Sequence, residues 1–477
     1  MKILPYSHEA YNLLHEGAIA LAEVEHDGIR VDEEYLDRAD SRLRQRISRL
    51  QNNLQKSEVM KLWRETFGQK AKPGSGEQLG FILFDKMGFD CPKKTPTGKY
   101  RTDEETLGTV DHPFVRDYLH LKKLEKSLST YIKGIKREVV DGFIHPFFNL
   151  HIPRSYRSSA DSPNFQNMPV RDPEIARLVR RAFIARPGRH LVEVDYSGIE
   201  VSIAACYHQD PTMLEYLEDD TKDLHRDSAT ECFKLTSEEM TADPKLGLKD
   251  KKRIKLIRYS GKNKFVFPQF YGDWYLECAR NLWNSIDELN LKTRDGSSLY
   301  DHLREHGVKE LGDLSPREKP RKGTFERHIQ QVEKDWWGKR FPIYSQWKND
   351  WVDKYQDQGW FQMLSGFICQ GLMSRNEIIN YPVQGTAFHC LLRSLIRLKK
   401  EIKKRKMKTL VVGQIHDSIV SDVPKEELDD FLALAWKVMV DDLLDAWDWI
   451  IVPIEIEAEV TPVDGNWYQK VGVTIAH

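Results

Sequence analysis

The sequence predicts a mixed α+β protein, and three observations carry that prediction. The first third places apolar residues at helical spacing among charges. A short apolar, β-branched run, Leu191 to Val194, then ends in Asp195 and gives way to helical composition from Ile199. Far downstream, "TLVVGQIHDSIVSDV" (409–423) sets two apolar runs on either side of a bend and reads as a β-hairpin with Asp417 near the turn. At 477 residues the chain exceeds what one compact core organises, so two to four subdomains are expected.

Composition narrows the class. With 40% hydrophobic and 30% charged residues the balance is that of a water-soluble globular protein. No run approaches the roughly 18 apolar residues of a membrane span, and "MKILPYSHEAYNLL" lacks the apolar core of a signal peptide, so no membrane association and a cytoplasmic location are expected. The six cysteines occur without CxxC pairs, which argues against a disulfide framework or a structural zinc site.

In chain order, 32–65 carries the pattern of a long amphipathic helix or helix pair. "KAKPGSGE" (70–77) and "PKKTPTGKYRTDEE" (92–105) read as loops, and 114–135 is again helical. Net charge of −1 hides segregation: 251–264, "KKRIKLIRYSGKNK", has seven basic residues and no acidic one and runs into "FVFPQFYG", the signature of a phosphate-binding surface. The basic run 397–408 reads instead as a solvated helix face, and an acidic stretch starts at Glu426.

A carboxylate where a buried strand turns into a helix is costly unless paired, hydrogen-bonded or bound to a cation. Asp195 alone fits either a helix cap or a ligand. Asp417 at the bend of a second apolar element shifts the balance toward a shared oxygen-ligand site for Mg²⁺, which takes one or two carboxylates and completes its shell with phosphates and water.

These motifs together resemble the polymerase module of the family A DNA polymerases, the bacterial DNA polymerase I type found also in phages. "ALAEVEHDGIRVDEEYL" and "LEKSLSTYIKG" resemble the family's entry to and return from the thumb. "RSSADSPNFQNMPVRDPEIARLVRRAFIA" leads into "DYSGIE", the first palm motif. "DLHRDSA" and "RYSGKNKFVFPQFYG" are similar to the fingers, "NYPVQGTA" to the second primer-template motif, "HDS" to the last palm motif, and "DGNWYQK" to the usual ending. The resemblance implies a right-hand polymerase fold with an antiparallel-sheet palm, α-helical fingers and an α-helical thumb. It implies an N-terminal lead-in over 1–30, thumb over 31–149, palm over 150–212, fingers over 213–375 with an insertion at about 283–322, and palm with the C-terminus over 376–477.

By the same resemblance Asp195, Asp417 and the carbonyl of Tyr196 hold two Mg²⁺ ions, for which Mn²⁺ can substitute. Glu200 stands at the steric gate that excludes a ribose 2′-OH. Arg258, Lys262 and His225 contact the triphosphate, while Phe267 and Tyr271 close over the nascent base pair. Arg157, Asn164, Gln166, Asn167, Gln384 and His416 face the minor groove near the primer end, where acceptors common to all correct pairs are displayed. Arg171 and Arg181 are phosphate or structural arginines. The implied partners are primer-template DNA and dNTPs, and an exonuclease or processivity partner in trans. The thumb begins within the first thirty residues, so no 3′–5′ exonuclease domain and no proofreading are expected.

Three departures stand out. Lys262 to Phe267 is five residues where the family has four, and Pro268 follows, so a local π-bulge is expected to return Phe267 and Tyr271 to the usual face. Ser418 replaces a glutamate, which leaves the aspartates without a third carboxylate. The 283–322 insertion has no counterpart in the bacterial enzymes. A single-subunit RNA polymerase is the alternative enzyme, against which Glu200 and "PNFQNMP" speak. A non-catalytic accessory subunit would have lost an aspartate or a fingers cation, and none is lost.

Overall fold

A computed structural model describes residues 7–91, 94–95, 97–170, 172–312, 314 and 318–475. The apolar run ending in Asp195 becomes the central strand of a five-stranded antiparallel sheet. Its strands are β1 (Arg189–Tyr196), β2 (Leu410–Ile415), β3 (Ser418–Pro424), β4 (Ile456–Val460) and β5 (Val471–Val473), in the spatial order β5-β4-β1-β3-β2. Strand periodicity sorts β1 into two faces. Val192, Val194 and Tyr196 point into one core, where the Tyr196 hydroxyl meets Ser394 Oγ at 2.8 Å and donates to the Met439 carbonyl at 2.9 Å. Leu191 faces a second core with Phe165, Phe183 and Trp467, and Glu193 and Asp195 continue that face toward the sheet's end.

β2 and β3 form the expected hairpin with a two-residue turn, His416 and Asp417, between the paired residues Ile415 and Ser418. Asp417 thus sits on the turn itself. His416 takes a positive φ of 51°, as the first residue of tight hairpin turns often does, and Gln414 Nε2 braces it by donating to the His416 carbonyl at 2.7 Å. Gly413 is required because a Cβ there would come within 2.6 Å of the Phe165 ring.

The N-terminal third is helical. α1 (Glu33–Gln55) starts at Asp32, whose carboxylate accepts from the Tyr35 amide at 2.8 Å. A second helix, Glu58–Phe67, follows at once, so the 32–65 pattern is a helix pair. Leu36, Ala39, Leu43, Ile47 and Leu54 bury one face of α1 in a core shared with α2 (Pro113–Lys126), which continues through a π turn, Ser127–Ile132, to Glu138.

α3 (Ile199–His208) leaves the sheet after β1. It starts from Gly198 in the left-handed region without a side-chain cap, so Asp195 is not its cap. α4 (Leu224–Cys232), α5 (Leu248–Gly261), α6 (Phe267–Tyr271) and α7 (Tyr275–Glu288) follow. Between α5 and α6 the backbone is π-helical over Lys262–Val266, with the Phe267 amide donating back to the Lys262 carbonyl. The extra residue in the sequence count is absorbed there, and Pro268 follows directly, next to the π turn. Part of the 283–322 insertion is woven into this helical layer: the Trp283 ring lies 4.8 Å from Tyr300 and 5.2 Å from Phe325. Residues 313 and 315–317 of it lie outside the described residues.

α8 (Arg375–Lys404) begins with a capping box between Ser374 and Glu377. Pro382 inside it cannot donate to the Ile378 carbonyl, and Trp351 Nε1 takes that acceptor at 3.1 Å. Left unpaired, a buried carbonyl would cost about 1–3 kcal/mol. The basic end of α8 meets acidic residues of the helix His8–Asp27: Lys399 lies 3.1 Å from Asp27, and Lys400 lies 2.6 Å from Glu16. The 397–408 run is therefore partly ion-paired against the protein rather than simply solvated. Among the described residues no helix is long and apolar enough to cross a membrane.

Candidate active site

Sheet register brings the two aspartates together. Asp195 is directly opposite Ser418 on β3, and the Tyr196 amide donates to the Asp417 carbonyl at 3.2 Å, which ties the end of β1 to the hairpin turn. Burial first, then the charges of Asp417 and Glu193, push the Asp195 carboxyl up to about 8. Asp417 is raised as well, by burial and by Glu200. Asp195 Oδ1 is buried with no hydrogen-bond partner among the described residues. Two neighbouring carboxylates, one with an orphaned oxygen, form a hard-oxygen donor set that fits a divalent cation.

This arrangement has a measurable cost without metal. The folded state holds the Asp195 proton up to about pH 8, while the unfolded chain releases it near pH 4. The group's contribution is therefore full below about pH 4 and declines as pH rises to about 8. In chelator, denaturation midpoints should fall over that interval. Asp195→Asn should flatten this slope and stabilise the protein by about 1–2 kcal/mol at pH 8. An unchanged slope in the variant would count against the assignment.

Glu200, in the first turn of α3, is held from both sides. Arg157 Nη1 donates to its Oε1 at 3.4 Å, and the Tyr271 hydroxyl donates to its Oε2. Glu200, Tyr271, Phe270 and Gln384 line a small cavity of about 30 Å³. The π turn aligns the other predicted groups. Lys262 Nζ lies 5.1 Å from the centre of the Phe267 ring, and the His225 ring meets Phe267 edge-on at 5.7 Å. Val266 is buried, Phe270 packs on Trp336 and Tyr344 at the wall of the small cavity, and Phe267 and Tyr271 line it beside Glu200.

Arg258, one turn before Lys262, docks its Nε on Asp223 Oδ2 at 2.6 Å. Asp223 also caps α4 by accepting from the His225 and Arg226 amides, each at 3.0 Å. Burial, then Arg258 and Lys262, push His225 down to about 4, so its ring is neutral at physiological pH, with Nδ1 unpartnered among the described residues. Burial and Arg258 also lower Lys262, while Glu457, Asp223 and Asp417 pull it the other way.

The remaining predicted residues are spread along a larger cleft. His416, Gln166 and Asn167 line a cavity of about 820 Å³ together with Lys122, Lys123 and Lys126 of α2. Gln166 is not free to reach outward as expected: its Nε2 donates to Ser158 Oγ at 2.8 Å and to Gln414 Oε1 at 2.6 Å. Asn164 is exposed at the start of the 3-10 turn Phe165–Asn167. Arg181 lies over the Tyr35 ring at 5.5 Å, a structural contact, and Arg171 lies outside the described residues. Sequence reading missed Asp223 as the partner of Arg258, although it stands in the quoted "DLHRDSA". It also missed the α2 lysines, whose basic cluster was visible, and Glu457, which only register places opposite Asp195.

Comparison with known proteins fits this arrangement. The family model for DNA polymerase family A matches residues 34–260 and 368–469, most of the chain. The chain belongs to DNA polymerase family A. Lys262, Phe267 and Tyr271 fall in the unmatched segment between those blocks, as does the insertion. DNA polymerase I of Geobacillus stearothermophilus is 25% identical over 457 residues, covering 94% of this chain and 44% of its own length. The DNA polymerase of Bacillus phage SP01 is 24% identical, covering 87% and 46%. The chain thus spans less than half the length of these relatives. Among solved structures, the POL domain of Pol1 from M. smegmatis in complex with DNA primer-template and dNTP superposes with a TM-score of 0.69 at 23% identity, covering 96% of this chain and 70% of that one. The fold of this family A chain is the right-hand polymerase fold.

Proposed function

We propose that the chain is a DNA-directed DNA polymerase that extends a primer 3′-OH with dNTPs on a template strand. The observation that carries this reading is the meeting of Asp195, at the end of β1, with Asp417, on the β2–β3 turn tied to it by the Tyr196 amide, with Asp195 Oδ1 unpartnered among the described residues and Lys262 within the field of Asp417. Asp195, Asp417 and the Tyr196 carbonyl would hold the cations. Divalent ions such as Mg²⁺, when bound, would supply Lewis-acid chemistry at the primer hydroxyl and the leaving pyrophosphate.

The chain's own groups do the rest. Lys262 and Arg258 take the triphosphate charge, and neutral His225 offers a ring nitrogen beside them. Phe267 and Tyr271 stack over the nascent pair. Glu200, fixed by Arg157 and Tyr271, fills the space a 2′-OH would need. Arg157, Gln384 and His416 face the minor groove, and the α2 lysines track the duplex phosphates. In this reading 31–149 is the thumb, 150–212 and 376–477 the palm, and 213–375 the fingers.

Primer extension with dNTPs against NTPs tests the proposal. The wild type should use dNTPs, and Glu200→Ala should raise ribonucleotide incorporation about 10- to 100-fold. Extension by the wild type with NTPs in preference to dNTPs would make it an RNA polymerase, and no templated extension would make it an accessory subunit.

A further inference from the structure

Asp195 lies on the central strand, so it has a directly opposed residue on each side. On β3 that residue is Ser418, and on β4 it is Glu457. Opposed residues of antiparallel strands share a face, with Cβ atoms about 4.5–5.5 Å apart. Asp195 is therefore flanked by a hydroxyl on one side and a carboxylate on the other.

The two flanking positions differ in what they tolerate. Ser418 is buried, and its hydroxyl lies 3.2 Å from Glu193 Oε1 and 3.0 Å from the Ile415 carbonyl. A carboxylate there would confront Glu193, which already accepts from Trp467 Nε1 at 2.8 Å and from Lys470 Nζ at 2.5 Å. Glu457 is exposed at the open end of the sheet and accepts from Ser197 Oγ at 3.3 Å. Its negative charge bears on both Asp195 and Lys262. Lys470, the cation nearest this face, is committed to Glu193 and Glu459 at 2.5 Å each. Asp195, Asp417 and Glu457 thus form a local excess of negative charge around an unpartnered carboxylate oxygen.

We propose that Glu457, which β4 sets directly opposite Asp195, supports the metal centre from outside the ligand set, on the side away from Ser418. The inference rests on the reading of Asp195 and Asp417 as the metal ligands. Among the described residues no three acidic or metal-ligating side chains converge tightly enough for joint ligation. Glu457 therefore acts one layer out, through its charge and ordered water, as a positioning residue.

The test measures Mn²⁺ binding by calorimetry on the full chain with a dideoxy-terminated primer-template, where no bond can form. Glu457→Gln should weaken Mn²⁺ binding about tenfold, and Glu457→Asp should recover part of the loss. Glu426→Gln removes the same charge from an exposed site on a different segment and should change nothing. Matching thermal melts would show that the variants fold. Wild-type affinity in Glu457→Gln, or an equal loss in Glu426→Gln, overturns the proposal. Binding that survives Asp195→Asn with Asp417→Asn overturns the aspartate assignment as well, whereas binding lost there but intact in Glu457→Gln defeats only the role of Glu457.

Discussion

Asp417→Asn is expected to reduce templated primer extension by about 10⁴-fold under single-turnover conditions, with the fold intact. The substitution removes a formal charge and keeps the shape. The backbone bond from the Tyr196 amide to the residue 417 carbonyl does not involve the side chain and should persist. Because burial already disfavours the ionised form at this position, a neutral amide should cost no stability in chelator. Asp195→Asn should be equally damaging, and the double variant little worse than either, since both carboxylates serve one site. Extension within tenfold of wild type in either variant would mean that the turn and the end of β1 are not the reacting centre.

The parts of this site that local sequence encodes were legible, and the parts that strand register encodes were not. The "HDS" hairpin could be read because two apolar runs with a two-residue bend leave little choice of turn. The π turn at Lys262–Val266 could be read because a residue count and a proline both demand it. Helix over 32–65 followed from apolar spacing, which left open one long helix or a pair, and the break at Lys56–Ser57 decided for the pair. Glu457, by contrast, lies more than 250 residues from Asp195 in the chain, and only the pairing of β4 with β1 sets them side by side. The engagement of Gln166 with Ser158 and Gln414 was equally hidden. An amide in a motif looks available until the fold shows which donors are already spent. The docking of Arg258 on Asp223 has the same character, and it changes which of Arg258 and Lys262 should matter more.

Lys262→Ala is accordingly expected to lower kcat/KM for dNTPs by about 10²- to 10³-fold and to exceed the effect of Arg258→Ala. The guanidinium of Arg258 is partly committed, with its Nε on Asp223 at 2.6 Å, so it can offer only its remaining donors to a triphosphate. Lys262 lies over the Phe267 ring, is disfavoured as a cation by burial and by Arg258, and is drawn by the carboxylates Glu457 and Asp417. An arriving polyphosphate would relieve the penalty on that ammonium, so its interaction strengthens as negative charge accumulates on the leaving group. Lys262→Arg should restore part of the rate, because charge is kept although the compact ammonium is not. Affinity for primer-template alone, measured by fluorescence anisotropy, should stay within about twofold, since the proposed function assigns the duplex phosphates to the lysine-lined cleft beside α2. A loss of DNA affinity equal to the loss in kcat/KM would instead place Lys262 on the nucleic-acid surface and remove it from the triphosphate site.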